Sequence, residues 1–535
     1  MRKKALGIDL GTTNSALAIV KENEPEIIPM GASDETVLRS AVYFSNIGGK
    51  RGKNRVFFGK DAINRGTEVG KVEYFKQDFK RDIGKNVESE TPDHTRVDST
   101  VLSALLLHEF KKRADVISME LQLPSPIKDA VITVPAYFTS EQRAATKNAG
   151  ILAGFNVLRI INEPTAAAIS YAHKKNIQGN ILVYDLGGGT FDVTIMRVQG
   201  HRYDILATDG NHRLGGLDFD KRLVRLIKEK LENQGVDMTS LSPKEEMRLL
   251  YQAEKIKISL SVDSSVFYEW FTEDGEYGVE ITQEEFYQTA ADLLKDTEIK
   301  MQNTLAAAHL SWDDIDHILL VGGSTRMPIV RDMIRELSGQ EPRFDLNPDT
   351  IVAEGASIIA DLLVNDEISF SETTAGKEIL DSQIVVRDVT SQGIGILFKK
   401  QAHQHYPFVG DFYNRVIVPR NTAIPTVIEK SDLVAVADGQ SNFRLRVTEG
   451  NSDNPRDVKI ILDRVVQLGV SHQKGEKLAI VRYEFDPEQI VHVTILEAQT
   501  RKTLEHFTLN TKVNQETERL EYDLTDLQDI LKRFI

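Results

Sequence analysis

The chain's 535 residues are enough for roughly two to four domains with large cores. A formal net charge of −15 argues against a general nucleic-acid binder, and the absence of cysteine excludes disulfides and suits a reducing compartment. Met1-Arg2-Lys3-Lys4 looks like the charged start of a signal peptide, but Asp9 and later glycines interrupt the apolar stretch that should follow. No apolar run approaches the ~18 residues of a membrane helix, so the expectation is a cytoplasmic protein that binds neither nucleic acid nor membrane.

In chain order, the apolar run Ala5 to Ile8, the segment Asp9-Leu10-Gly11-Thr12-Thr13-Asn14 and the run Ala16 to Val20 predict a tight β-hairpin. Val131 to Val134 predicts a strand ending at Pro135, and Thr139 with Gln142 a capping box for a helix through Ala149. A strand over Val157 to Ile161 leads through Asn162-Glu163 to Pro164, a good first helical residue, and a helix to Lys174. Ile181 to Tyr184, Asp185-Leu186-Gly187-Gly188-Gly189-Thr190 and Phe191 to Val198 then repeat the first hairpin. Met247, Leu250, Ala253, Ile256 and Leu260 give residues 244–260 a helical stripe, read as core. Asp316 to Val321 predicts a buried strand, followed by Gly322-Gly323-Ser324-Thr325-Arg326-Met327 and a helix opening at Pro328. Residues 361 to 383 break the pattern and read as a connector. Beyond them, Asp432 to Ala437 and Ser441 to Thr448 flank Asp438-Gly439, a hairpin signal. In the second of these strands Phe443, Leu445 and Val447 alternate with Arg444, Arg446 and Thr448, giving one apolar face.

Two acid-glycine-threonine hairpins in one chain point to a duplicated lobe whose turns face one another around a polyphosphate. Glycine lets the main chain approach phosphate, and consecutive N–H groups form an anion site. Thr12, Thr13 and Thr190 add hydroxyl donors, and Asp9 and Asp185 are candidates to hold magnesium through water, since Mg²⁺ prefers oxygen ligands. The third turn lets a nucleotide's base and sugar lie close to the backbone, where Arg326 can stack on the base.

Five segments carry a resemblance: Gly7 to Ser15, Val131 to Phe138, Arg159 to Ala168, Tyr184 to Asp192 and Val321 to Pro328. Over residues 1 to about 360 the chain resembles DnaK-type 70-kDa heat-shock chaperones; the likeness fades after about 390. The resemblance implies an α/β actin-like (ribonuclease H-like, duplicated) ATPase domain over residues 1–365, a linker over 366–388, a β-sandwich substrate-binding domain over 389–513 and a short helix over 514–535. It implies ATP or ADP with Mg²⁺ as cofactors and an ATPase that controls affinity for unfolded or extended apolar segments, with J-domain and nucleotide-exchange proteins as partners. A nucleotide-bound scaffold is the alternative. A small-molecule kinase of the same wider fold is disfavoured, because it needs neither linker nor β-domain.

The resemblance also assigns roles. Lys80, which spacing alone does not choose over Lys76, matches the lysine that orients the attacking water, and Glu163, Asp185, Thr190 and Asp192 match residues around magnesium and that water. Gly11 to Asn14, Gly187 to Gly189, and Gly215 and Gly216 match phosphate loops, the last with Leu217 where an acid is usual. Glu254, Lys257 and Ser261, on one helical face, match the adenosine helix, as do Gly322, Gly323, Ser324, Arg326 and Asp349 elsewhere; spacing alone would read the helix residues as a surface ion pair. Pro135, Tyr137 and Arg143 match an interdomain relay, with Asp388 in the linker run Ile384 to Thr390. Arg387 and Ser391 there replace an aliphatic residue and a proline. Arg159, Asn162 and Thr165 match part of the J-domain docking surface. Leu433, Val436, Phe443 and Leu445 are expected to line a peptide groove, narrowed by Phe443 where a smaller aliphatic residue is usual. Residues 400–415 insert His403, His405, Tyr406, Phe408, Phe412 and Tyr413; with no third ligand evident, these read as a loop contact over the groove or a partner surface rather than a metal site. After Val513, Leu520, Leu524, Leu527, Leu531 and Phe534 predict one helix where the family has a multi-helix lid, so fast peptide exchange is expected.

Overall fold

The apolar runs on either side of each acid-glycine-threonine turn fold as antiparallel pairs, Leu6–Asp9 with Asn14–Lys21 and Gly179–Leu186 with Phe191–Gln199. The computed structural model describes residues 2–30, 35–47, 53–85, 87–272, 275–369, 384–400, 408–486, 489–509 and 524–534. Each pair is the centre of a mixed sheet. In the first, Glu24–Ile27 extends the meander, while Asp129–Val134 runs parallel to Leu6–Asp9 and Asn156–Asn162 parallel beyond it. In the second, Arg202–Asn211 extends the meander and His317–Val321 runs parallel to Gly179–Leu186. Three antiparallel strands with parallel strands added on the same side recur in both, so two lobes share one plan. Helices Glu163–Lys175 and Ile351–Val364 pack together between the sheets. Their contact faces are small, Ala166 to Ala168 on one and Gly355 and Ala356 on the other, and a Cβ at Gly355 would collide with the Ala166 backbone.

The Thr139–Gln142 capping box forms and starts helix Ser140–Leu152. Helix Pro243–Ser259 turns its stripe by about one residue from expectation. Leu249, Ala253 and Ile256, with Leu260 just past its end, are core, whereas Met247 and Leu250 are half-buried along a cavity between the lobes.

The C-terminal strands form two four-stranded antiparallel sheets. One contains Ile394–Lys399, Phe412–Val418, Gln440–Glu449 and Lys459–His472; the other contains Thr426–Val434, Lys477–Phe485, Val491–Glu497 and Thr503–Thr508. Asp438-Gly439 is therefore not a hairpin turn. The strand before it pairs with Lys477–Phe485 and the strand after it with Lys459–His472, so the segment crosses from one sheet to the other. A sheet-to-sheet corner needs the same left-handed backbone as a hairpin turn, here Gly439 at φ 78°, and the local signal does not distinguish them.

The linker run is also a strand. Ile384–Val389 lies parallel to Arg202–Asn211, extending the second lobe's sheet, and then bridges Ala423–Ile424 of the sandwich. Residues 370–383 lie outside the described residues, as do Leu520 and the start of the predicted last helix. Helix Leu524–Leu531 sets Leu527 and Leu531 into the first lobe's core, and Phe534 meets Phe44 edge-on at 5.1 Å. Among the described residues no helix is long and apolar enough to cross a membrane.

Candidate nucleotide site and its connection to the sandwich

The two repeated turns touch. A Cβ on Gly188 would collide with the Thr13 hydroxyl, and one on Gly189 would lie 2.5 Å from the Thr12 methyl carbon. The other turns converge on the same backbone: Gly216 N donates to Gly187 O at 2.9 Å, Leu217 N to Gly188 O at 2.9 Å and Ser324 Oγ to Gly187 O at 3.1 Å. Gly322 adopts φ 82° against the Leu186 carbonyl, leaving no room for a side chain. Because a methyl group at residue 189 must push the first turn away, Gly189→Ala is expected to weaken ADP binding at least tenfold by calorimetry. Unchanged affinity would mean that the contact between the turns is dispensable.

Behind the turns lies a cluster of acids. Asp185 and Asp192 are opposite one another across the second hairpin. Asp192 accepts a hydrogen bond from Tyr137 N, and Asp9 one from Thr133 Oγ1, each at 3.0 Å. Lys80, 2% exposed at the side chain, donates to Glu163 Oε1 at 2.6 Å. Burial first, and repulsion from Glu163 second, push Asp9 and Asp192 up to about 7 and Asp185 well above the usual carboxylate range. A raised carboxylate stabilises the fold fully below its unfolded value near 4 and loses that contribution as pH rises through about 7. Asp192→Asn cannot ionise and its amide oxygen can still accept from Tyr137, so its Tm relative to wild type is expected to rise between pH 5 and 8. A pH-independent difference would mean that Asp192 is not held protonated.

Of the residues expected to hold adenosine, Glu254 lines the cleft and Lys257 reaches Gly216, and each is already partnered. Glu254 accepts a two-pronged ion pair from Arg39, and Lys257 pairs with Asp220 at 2.7 Å and donates to Gly216 O at 3.1 Å, so Glu254 and Lys257 bridge outward rather than to each other. Ser261 donates to its own helix at Lys257 O. Arg326 pairs with Asp349 at 2.7 Å beside Gly323. Arg39 carries no sequence signal, because its partner is 215 residues away.

The relay residues assemble around one buried carboxylate. Arg143 Nη2 donates to Ala136 O at 3.1 Å and Asn162 Oδ1 at 2.6 Å; Asn162 Nδ2 and Gln489 Nε2 donate to Asp388 at 2.9 and 2.8 Å. Pro135 caps the strand beside them, its carbonyl accepting from Phe138 N. Burial raises the Asp388 carboxyl, opposed by Arg143 and more weakly by Arg159. Asn162 and Thr165 thus depart from their expected place on a partner surface. Both are buried, and Asn162 is a link between Arg143 and Asp388. The two linker departures find partners: Arg387 Nε lies 3.9 Å from Asp204, and Ser391 Oγ donates to Phe138 O at 3.1 Å. Sequence reasoning missed Glu449, which accepts from the Ser140 backbone and hydroxyl, and Arg420, whose guanidinium grips the buried Asp209 of the second lobe.

Of the groove candidates, Leu445 and Phe443, the latter 9% exposed, lie in the sandwich core, and half-buried Leu433 packs against it. Val436, 76% exposed, projects from the crossing segment. Phe412 lies under the Arg446 guanidinium, Tyr413 stacks on Phe398 at 5.8 Å, and Lys400 covers Phe408. His403, His405 and Tyr406 lie outside the described residues.

Two lobes meeting at glycine-rich turns over buried acids, joined by a strand to a β-sandwich, define a chain built to bind a phosphate-bearing ligand and report it to a second domain. Residues 5–528 match the family model described as Hsp70 protein. The chain is 37% identical over 516 residues to chaperone protein DnaK of Thermosipho melanesiensis, covering 94% of this chain and 79% of that one. It is 35% identical over 526 residues to heat shock 70 kDa protein 6, chloroplastic, of Arabidopsis thaliana, covering 94% and 68% respectively. The chain belongs to the Hsp70 family. It is accordingly an ATP-dependent chaperone with ATPase activity.

Proposed function

We propose that the first 365 residues form an actin-like ATPase whose cleft holds ATP or ADP with Mg²⁺, and that the sandwich at 389–513 holds unfolded or extended polypeptide. The seating of Ile384–Val389 as a strand of the second lobe's sheet carries this reading, because it makes sandwich position depend on lobe geometry. Turns 11–14 and 187–189 offer phosphate the backbone N–H groups of Thr12, Thr13, Gly188 and Gly189 and threonine hydroxyls, Gly215 and Gly216 brace them with N–H groups bonded to Asp218 and Gly187, and Glu254, Lys257, Ser261, Arg326 and Asp349 surround the nucleoside. Asp9, Asp185 and Asp192 sit together with Lys80 as the cation paired to Glu163, a set of oxygen donors that a bound divalent ion would draw into the ionised form. Asp9 and Asp185 would hold such an ion through water, as Mg²⁺ commonly keeps several waters. When bound, the ion supplies charge neutralisation on the phosphates.

The protein's own part in hydrolysis is positional. Lys80 holds positive charge beside the acids in a water-poor pocket, where a fixed charge is worth more than in solvent. Glu163, Asp192 and Thr190 orient the attacking water, and an acid kept protonated near neutral pH can exchange a proton with it. The arrangement in which Arg143, Asn162 and Asp388 are joined is the docked, weakly binding state; its release gives the tight one. J-domain and exchange proteins as partners, and a cytoplasmic location, belong to the same reading, the latter supported by the cysteine-free composition.

The test is the dissociation rate of a labelled apolar peptide, expected to be faster with ATP than with ADP. Equal rates would leave a nucleotide-bound scaffold. Phe443→Val is expected to slow peptide release severalfold by opening a pocket, at a stability cost of about 1–3 kcal/mol for the lost core volume. An unchanged release rate would remove Phe443 from the groove.

A further inference from the structure

Arg39 lies outside every motif, yet its surroundings tie two nucleotide-site elements together. Its strand, Leu38–Arg39, pairs with Asn14 and Ser15 directly after the first phosphate turn. The next residue fixes that turn from behind: Ser40 N donates to Thr13 O at 2.8 Å, and Ser40 Oγ to Gly11 O at 2.7 Å. From this anchored backbone the guanidinium crosses to the other lobe and forks onto Glu254, Nη1 to Oε1 at 2.7 Å and Nη2 to Oε2 at 2.8 Å. Both side chains are shielded, at 22% and 17% exposure, and line the same interlobe cavity as Thr13. Arg248 with Glu68, which also spans the lobes, is far more exposed, and exposed pairs contribute little. Planar, bidentate and partly buried geometry marks the stronger ion pairs.

We propose that Arg39 is a positioning residue of the nucleotide site: it holds the Glu254 carboxylate toward the cleft, couples the adenosine helix to the first phosphate turn, and slows escape of bound adenosine nucleotide. This rests on the assignment of the cleft to ATP and ADP. A carboxylate has about four acceptor positions, and the arginine fork takes two, so Glu254 keeps capacity for ligand hydroxyls while its rotamer is fixed. Nucleotide and guanidinium share one carboxylate, and the fork must break before the lobes part.

The experiment follows release of a fluorescent ADP analogue by stopped flow from wild type, R39A, R39K, E254Q and the R39A/E254Q double variant. Expected are release about tenfold faster in R39A, a partial return in R39K because an ammonium makes a single-point contact, and a double variant no faster than the faster single one. R39A releasing at the wild-type rate, or effects at the two residues that multiply, would overturn the proposal. If R39A folds poorly, R39K against wild type still decides, since an R39K rate equal to wild type counts against a bidentate role. Failure of wild type to bind the analogue would instead remove the nucleotide assignment on which the proposal rests.

Discussion

Lys80→Ala is expected to lower ATP turnover by about 10²–10³-fold while leaving nucleotide bound, as loss of one fixed electrostatic donor typically does. Lys80 touches Glu163, not the turns proposed to hold phosphate, so affinity and chemistry should separate. Removing the lysine also leaves the Glu163 carboxylate without its partner in a buried position, and breaking such a pair costs about 3–5 kcal/mol. Lys80→Ala with Glu163→Gln should therefore recover stability without recovering turnover. Single-turnover hydrolysis and thermal melts of the two variants make the comparison. A single variant with near-normal turnover would place the catalytic charge elsewhere.

Arg143→Ala should abolish the effect of ATP on the sandwich. Arg143 is the buried cation linked to Asp388 through Asn162, and its loss leaves that carboxylate with the Asn162, Gln489 and Val389 N–H donors and the weaker Arg159 charge, and leaves Asn162 Oδ1 without its donor. Losing a hydrogen bond made by a charged group costs about 1.5–3 kcal/mol, enough to move a docked-to-undocked equilibrium by about tenfold to a hundredfold. Peptide release with ATP should fall to the ADP rate, and the radius of gyration from solution scattering should increase. Asp388→Asn, which keeps hydrogen-bonding capacity and removes the charge, should be milder. Equal, unimpaired ATP responses in both variants would locate coupling in other contacts, such as Arg420 with Asp209.

What the sequence made legible was local. The hairpins announce themselves because acid, glycine and threonine recur at the same place between apolar runs, and Thr139 with Gln142 caps its helix through neighbours three residues apart. Asp438-Gly439 misleads for the same reason. It specifies a bend, but which strand lies alongside is decided elsewhere: the strand before it takes a partner across the other sheet at Lys477–Phe485, and the strand after it pairs with the next strand, Lys459–His472. Arg39 and Arg420 were unreadable as site residues, and Asn162 was assigned to a partner surface, because each is defined by a partner in a distant part of the chain: Glu254, Asp209 and Asp388 respectively. Phe443 shows the opposite limit, since alternation places it inward correctly but cannot tell the floor of a groove from packed interior.

The strand Ile384–Val389 closes what would otherwise be an open sheet margin at Arg202 to Asp204. Whenever that strand departs, main-chain donors and acceptors of residues 201–204 become available to any extended chain nearby, including a client. Arg202 and Asp204 sit there, paired with each other at 2.7 Å, and charged side chains on a margin discourage foreign strands. The charged pair that holds this margin in the joined arrangement is thus also what would discourage an unfolded chain from adding to it once the strand has left.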